Sequence, residues 1–315
     1  MNAADTLDTP RQTGARPVTS CGVYTITLKA GEGVARTLKA LSPNGEFFQP
    51  MIDGRGRSVV FWGRETKESG LNIWRTDLSS NMPVRLTDIR AVSGHPFWNS
   101  DGERIVFFST RGLTRDTRWS MGTQFAVDRS PRNIWVMNRD GSDLRRLTRG
   151  RFVDERPCIS PDGKHVVFVS NRSGGGYLSL WSVFVETGEL TPVTTGDCLA
   201  YRPIFSPDGR RLAFFTGGTE VSTHKLAIMS WPDGEVSFPL PAGFFKWIHG
   251  PFWLQGGSTI LVHGIRKSGG KAGLYTVDIE DGQVREIVVP GFSEYAHGSM
   301  TRDGSVLAFD SRGRN

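Results

Sequence analysis

The chain has 315 residues, with 38 Lys and Arg against 32 Asp and Glu and a formal net charge of +6. Its 37% hydrophobic content and 38 glycines suit a globular chain of short strands and tight turns. The positive balance suggests an anionic partner. Nucleic acid is not expected, because the sequence has no basic run or aromatic–basic platform. Nor is a membrane, since no apolar span reaches the roughly 18 residues of a crossing helix.

Residues 1–16 are polar and have no apolar core, and the segment to residue 20 is expected to be disordered. The segment does not read as a secretory leader, so a cytoplasmic location is expected. Cys21, Cys158 and Cys198 are odd in number and share no paired spacing, which suits reduced, buried thiols. Strand-like runs follow at 22–28 and 35–40, and then a repeat begins. Its copies start at Gln49, His95, Arg156, Arg202, Gly250 and His297, spaced 46, 61, 46, 48 and 47 residues apart. The clearest copy, Arg202-Pro203-Ile204-Phe205-Ser206-Pro207-Asp208-Gly209, leads into the run Leu212-Ala213-Phe214-Phe215. Asp-Gly between two such runs signals a hairpin, because glycine accepts the positive φ of the turn. A third run (Asn133 to Met137), a second turn (Asp140-Gly141) and a fourth run (Leu144 to Thr148) complete a unit of four antiparallel strands.

Four strands every 46 to 48 residues is the period of a propeller blade. The expected fold is all-β, a six-bladed propeller forming one domain over residues 21–315. The sixth copy supplies only two strands before Asn315, so the runs at 22–28 and 35–40 are expected to complete the last blade and close the ring. The Ser-Pro-Asp-Gly turn, with its Ile134-Trp135-Val136-Met137 and Leu147-Thr148 elements, resembles the TolB-like propeller repeat over nearly the whole chain from about residue 20. The resemblance implies the fold. For function it implies a partner-binding scaffold or an enzyme, since propellers serve as both.

The first strand of a propeller blade lines the central channel, and the residue before the repeat's Pro or Gly is expected to point inward at one mouth. Round the ring these positions are Gln49, His95, Arg156, Arg202, Gly250 (with His249 one residue earlier) and His297. Gln49, His95, His249 and His297 form one arc and suit a divalent transition metal. Arg156 and Arg202 form the opposite arc and suit a carboxylate. The connection 109–132 is the longest within a blade. Its Arg111, Arg118 and Trp119 are expected to contact a substrate, as cationic and aromatic groups over the mouth. His224 and His263 fall near the same mouth, and Glu155 and Tyr201 lie one residue off the inward position.

The ligand set is similar to that of the oligogalacturonate lyases, propeller enzymes whose manganese is held by three His and one Gln. That likeness implies a metal-dependent β-elimination on an acidic oligosaccharide such as an oligouronide. Arg156, Arg202 and Tyr295 are then the candidate catalytic residues, and manganese is the implied ion. The family pattern is not fully met, because it has seven blades and its Gln lies close in sequence to two of its His. The alternative is a non-enzymatic propeller that receives a protein or peptide partner's acidic segment at the mouth.

Overall fold

The computed structural model describes residues 22–29, 32–37, 45–66, 69–80, 82–88, 90–113, 130–174, 176–218, 220, 223–254, 256–289, 295–301 and 304–311. The segment expected to be disordered, residues 1–20, lies outside them. So does most of the long connection, including Arg118 and Trp119. Among the described residues no helix is long and apolar enough to cross a membrane.

The strands form six four-stranded sheets, each antiparallel and each matching one sequence repeat. Their inner strands are Glu46–Ile52, Ser93–Trp98, Glu155–Ile159, Leu199–Phe205, Phe245–Trp253 and Tyr295–Met300, in blades one to six. The second strands are the most apolar, because they are covered by neighbouring blades on both faces. In blade one Val59, Val60, Phe61 and Trp62 are all buried, and in blade three Val166, Val167, Phe168 and Val169 are all 0% exposed. The outer strands are short and more polar, as in Val84–Arg85 and Val236–Ser237.

The ring closes as expected. Gly22–Lys29 pairs with Val306–Ser311, with Tyr24 opposite Phe309 and Ile26 opposite Leu307. Glu32–Thr37 then forms the outer strand of that blade. Two hydrogen bonds stitch the last blade to the first. Ser299 donates its hydroxyl to the Pro50 carbonyl at 2.8 Å, and its oxygen accepts the Ile52 N–H at 3.0 Å.

Two other seams use an indole. Trp98 Nε1 donates to Met51 O at 2.9 Å, and Trp253 Nε1 donates to Ile204 O at 3.1 Å. Each ties an inner strand to the preceding blade. Blades one and two are also joined by Arg139, which bridges buried Asp53 at 3.2 Å and Asp77 at 2.9 Å. Among the thiols, Cys158 is buried, and burial pushes its pKa up to about 12. Cys198 is exposed, contrary to expectation, because it precedes the inner strand of blade four in a solvent-facing loop.

Phe309 is fully buried opposite the N-terminal strand. Phe309→Ala is expected to lower unfolding free energy by about 3–5 kcal/mol in denaturant titrations, because it opens a cavity at the closing seam.

Candidate functional site

One backbone device, repeated six times, builds the mouth of the channel. In every blade the register between first and second strands slips by one residue at the same place. In blade one, for example, Phe48 pairs with Trp62 and Met51 with Val60. The extra residue is a β-bulge, which bends the strand and re-aims a side chain. Gln49, His95, Arg156, Arg202 and His297 occupy it at φ of 48°, 50°, 52°, 55° and 46°, and Gly250 at 59°. Left-handed backbone is unfavourable for residues with a Cβ, so five of the six positions hold strained conformers. All six residues line one cavity of about 90 Å³. Since one water needs about 10–15 Å³, the cavity admits several waters or the end group of a ligand.

Blade five departs from the expectation. Glycine takes the bulge, which leaves His249 one residue back, where the other blades place residues such as Glu155 and Tyr201. His249 is fully buried and does not line the cavity. Its ring stacks on Trp247 at 5.4 Å and meets the His297 ring at 4.9 Å. Opposite His249 on the second strand stands His263, 6% exposed and with its ring 6.3 Å from that of His297.

In blade six Asp310, 4% exposed, accepts from His297 Nδ1 at 3.0 Å and 3.1 Å. The equivalent second-strand positions in blades one to four are Trp62, Phe108, Val169 and Phe215. His263 and Asp310 are thus polar groups where four blades carry core residues; the sequence placed His263 near this mouth, and Asp310 is the residue it did not single out. Aligning the second strands of the repeats was the signal that exposes it.

Electrostatics divides the ring. Burial, then the positive charge of Arg202, drives His249 well below the usual imidazole range. Burial and His297 take His263 to about 3. His95 is lowered strongly by burial and by Arg156 and Arg202. These three imidazoles are therefore neutral. Burial alone would raise Asp310, but His297 beside it and the Gln49 N–H hold its carboxyl below the usual range.

On the opposite side Arg132 and Arg156 reach Glu155 at 3.4 Å and 3.3 Å, and together they keep that buried carboxylate ionised. Arg202 has no carboxylate of its own among the described residues, and its Nε and Arg156 Nη1 are buried without partners. Burial, then the like charge of Arg156, pushes Arg202 well below its ordinary value. A guanidinium does not deprotonate in proteins, so an anion is what relieves that pressure. Three guanidiniums here face two carboxylates, Glu155 and Asp310, and one positive charge is left over.

The expected residues thus divide. Gln49, His95, Arg156, Arg202 and His297 come together, whereas His249 sits behind the wall. Arg111 is exposed, pairs with Asp88 at 3.6 Å and does not line the cavity, because it lies in the turn beyond the second strand. Tyr295 opens the inner strand of blade six, and its side chain lies outside the described set.

The four expected metal ligands do not form a coordination set. His249 stands behind the wall, outside the cavity that Gln49, His95 and His297 line. Among the described residues no group of three or more His, Cys, Asp or Glu is placed to hold a metal.

No family model matches the chain. A 52-residue segment is 42% identical to the Tol-Pal system protein TolB of Wolbachia pipientis subsp. Culex pipiens, covering 16% of this chain and 12% of that relative's length. Among solved structures, a putative TolB from Agrobacterium tumefaciens superposes with a TM-score of 0.65 at 13% identity, over 92% of this chain and 97% of that one. An oligogalacturonate lyase in complex with manganese superposes with a TM-score of 0.58 at 16% identity, over 90% of this chain and 77% or less of such lyases, here 76%. The chain is a TolB-like β-propeller in fold.

Two outcomes follow for the site. A Cβ on Gly250 would find its nearest neighbour, Arg202 Nη1, at 4.0 Å. Gly250→Ala is therefore expected to cost only the left-handed backbone term, about 1–2 kcal/mol in denaturant titrations. The second concerns acid. His249 and His263 are neutral in the fold but protonate below about 6.5 once released, so unfolding takes up protons as pH falls below that value, for His263 down to about 3. Stability is expected to fall as pH drops through that window, by up to about 1.4 kcal/mol per pH unit for each imidazole. Denaturant melts of His263→Phe should show a shallower slope.

Proposed function

We propose that the channel mouth is a receptor for a carboxylate-bearing ligand, held between Arg156 and Arg202. The observation that carries this reading is the partly buried Arg202 guanidinium, whose Nε is buried and has no hydrogen-bond partner among the described residues, and the leftover positive charge around it. A carboxylate offers two acceptor oxygens to a guanidinium fork, and the buried setting strengthens each hydrogen bond. The ligand class is an acidic small molecule or the acidic end group of a larger one, such as a uronic acid. The cavity of about 90 Å³ takes the end group and leaves the rest at the mouth.

The His297–Asp310 pair favours a second reading, in which the bound acid also reacts. Asp310 fixes the Nδ1 proton of His297, which leaves Nε2 as the acceptor at the ring. With the carboxylate charge neutralised by the arginines, that nitrogen would take the proton from the carbon beside the carboxylate. The freed electron pair becomes a C=C bond as the β C–O bond breaks, and the departing oxygen takes a proton from water. The likeness in fold to an oligogalacturonate lyase supports this chemistry. The donor set does not support its metal-dependent form, so no step is assigned to an ion. Likeness to TolB supports the first reading, simple binding, with a protein's acidic segment as the ligand.

Calorimetric titration with galacturonate tests the receptor reading. Arg202→Met is expected to weaken binding at least about tenfold, the loss of a hydrogen-bonded charge pair. Unchanged affinity would remove the arginines from the account. Incubation with oligogalacturonate, followed by ultraviolet absorbance of an unsaturated product, separates the two readings. Turnover that is lost in His297→Asn while binding persists supports elimination, and binding without turnover leaves a receptor.

A further inference from the structure

Behind the polar ring the channel changes character. A second cavity of about 100 Å³ lies beyond it, walled by Trp98, Trp253, Phe205 and Met300. Met51, Phe97, Ile204 and Phe252 line both cavities and so form the waist between them. These four follow the bulge residues by two positions, which is how a strand turns alternate side chains to one face. Met51, Phe97 and Phe252 are only partly buried although they stand inside the ring. Each packs on the core on one side and faces the channel on the other, the kind of apolar lining that small-molecule sites present.

We propose that the channel binds an amphipathic acid: its carboxylate sits on Arg156 and Arg202, and an unbranched apolar tail passes the waist into the Trp98–Trp253 cavity. This rests on the carboxylate reading above and adds the second half of the ligand. The occupant follows from what the two cavities present in sequence. A cationic ring with one uncompensated charge selects the head. The far cavity, mostly apolar, selects a tail with no hydrogen bonds to satisfy, because its polar groups are already engaged. The Trp98 and Trp253 indoles donate to Met51 O and Ile204 O, the Ser100 and Ser206 hydroxyls to Pro161 O and Asp208, and Asn99 Oδ1 accepts the Glu103 N–H. From Arg202 to Ser206, which lines the far cavity, the strand advances four residues, roughly 13 Å. That span suits a medium-length alkyl chain rather than a second sugar ring.

The test is calorimetric titration of the full chain with acetate, butanoate, hexanoate, octanoate and octan-1-ol. Affinity is expected to rise up to about fourfold for each methylene drawn into the apolar part, with octan-1-ol far weaker than octanoate. Met51→Trp, which fills the waist, is expected to keep acetate binding and abolish the dependence on length. Acids that bind with equal affinity whatever their length would overturn this inference and leave the carboxylate receptor standing. Length dependence that survives in Met51→Trp would also overturn it, by placing the tail elsewhere. Failure of every acid to bind would overturn both readings.

Discussion

A single extra residue in the inner strand of each blade, held in left-handed backbone, is the constraint on which the channel mouth depends. Without it the inner strand would keep strict alternation, and the side chain before each proline would have no fixed aim at the axis. The conformation costs on the order of 1–3 kcal/mol wherever the residue carries a Cβ. It persists because the strands on either side of the bulge are clamped. Second strands such as Val166 to Val169 are fully buried, and Trp98, Trp253 and Ser299 pin neighbouring inner strands to one another. Strain that could be relieved by glycine, and is relieved that way only at Gly250, points to side chains kept at the other five positions for what they present.

What they present is a ring with two electrical halves. Glu155 absorbs part of the charge of Arg132 and Arg156 and leaves Arg202 exposed to its neighbours' repulsion. The imidazoles across the ring must then stay neutral, since a proton on His95 or His249 would add to that field. Asp310 is the exception that makes the arrangement tolerable, a buried carboxylate placed against His297. A site balanced in this way responds to one negative charge far more than to a neutral ligand.

The architecture was legible because period, turn chemistry and strand patterning agree. Asp-Gly turns, runs such as Val166 to Val169 and a half-repeat at each end all point to one closed ring. The bulge positions were legible too, since the residue before each Pro or Gly recurs at a fixed place. Three features were not. His249 was placed at the cavity because the sequence does not say which of His249 and Gly250 takes the positive φ, and the residue without a Cβ takes it at least cost. Asp310 was hidden because second strands read as core, and in four blades the equivalent residues are core. The metal set failed for a different reason. Shared register spreads side chains around a circle, whereas coordination needs them to converge.

The seam between the first and last strands carries a consequence for how the molecule is made. Residues joined at Ser299 and Pro50 lie 249 positions apart, so everything between them must be made before that bond can form. During synthesis at about 5–20 residues per second, Gly22–Lys29 waits roughly 15–55 s for its partner Val306–Ser311 to appear. For that interval it is an unclaimed edge, open to the same segment on a neighbouring nascent copy.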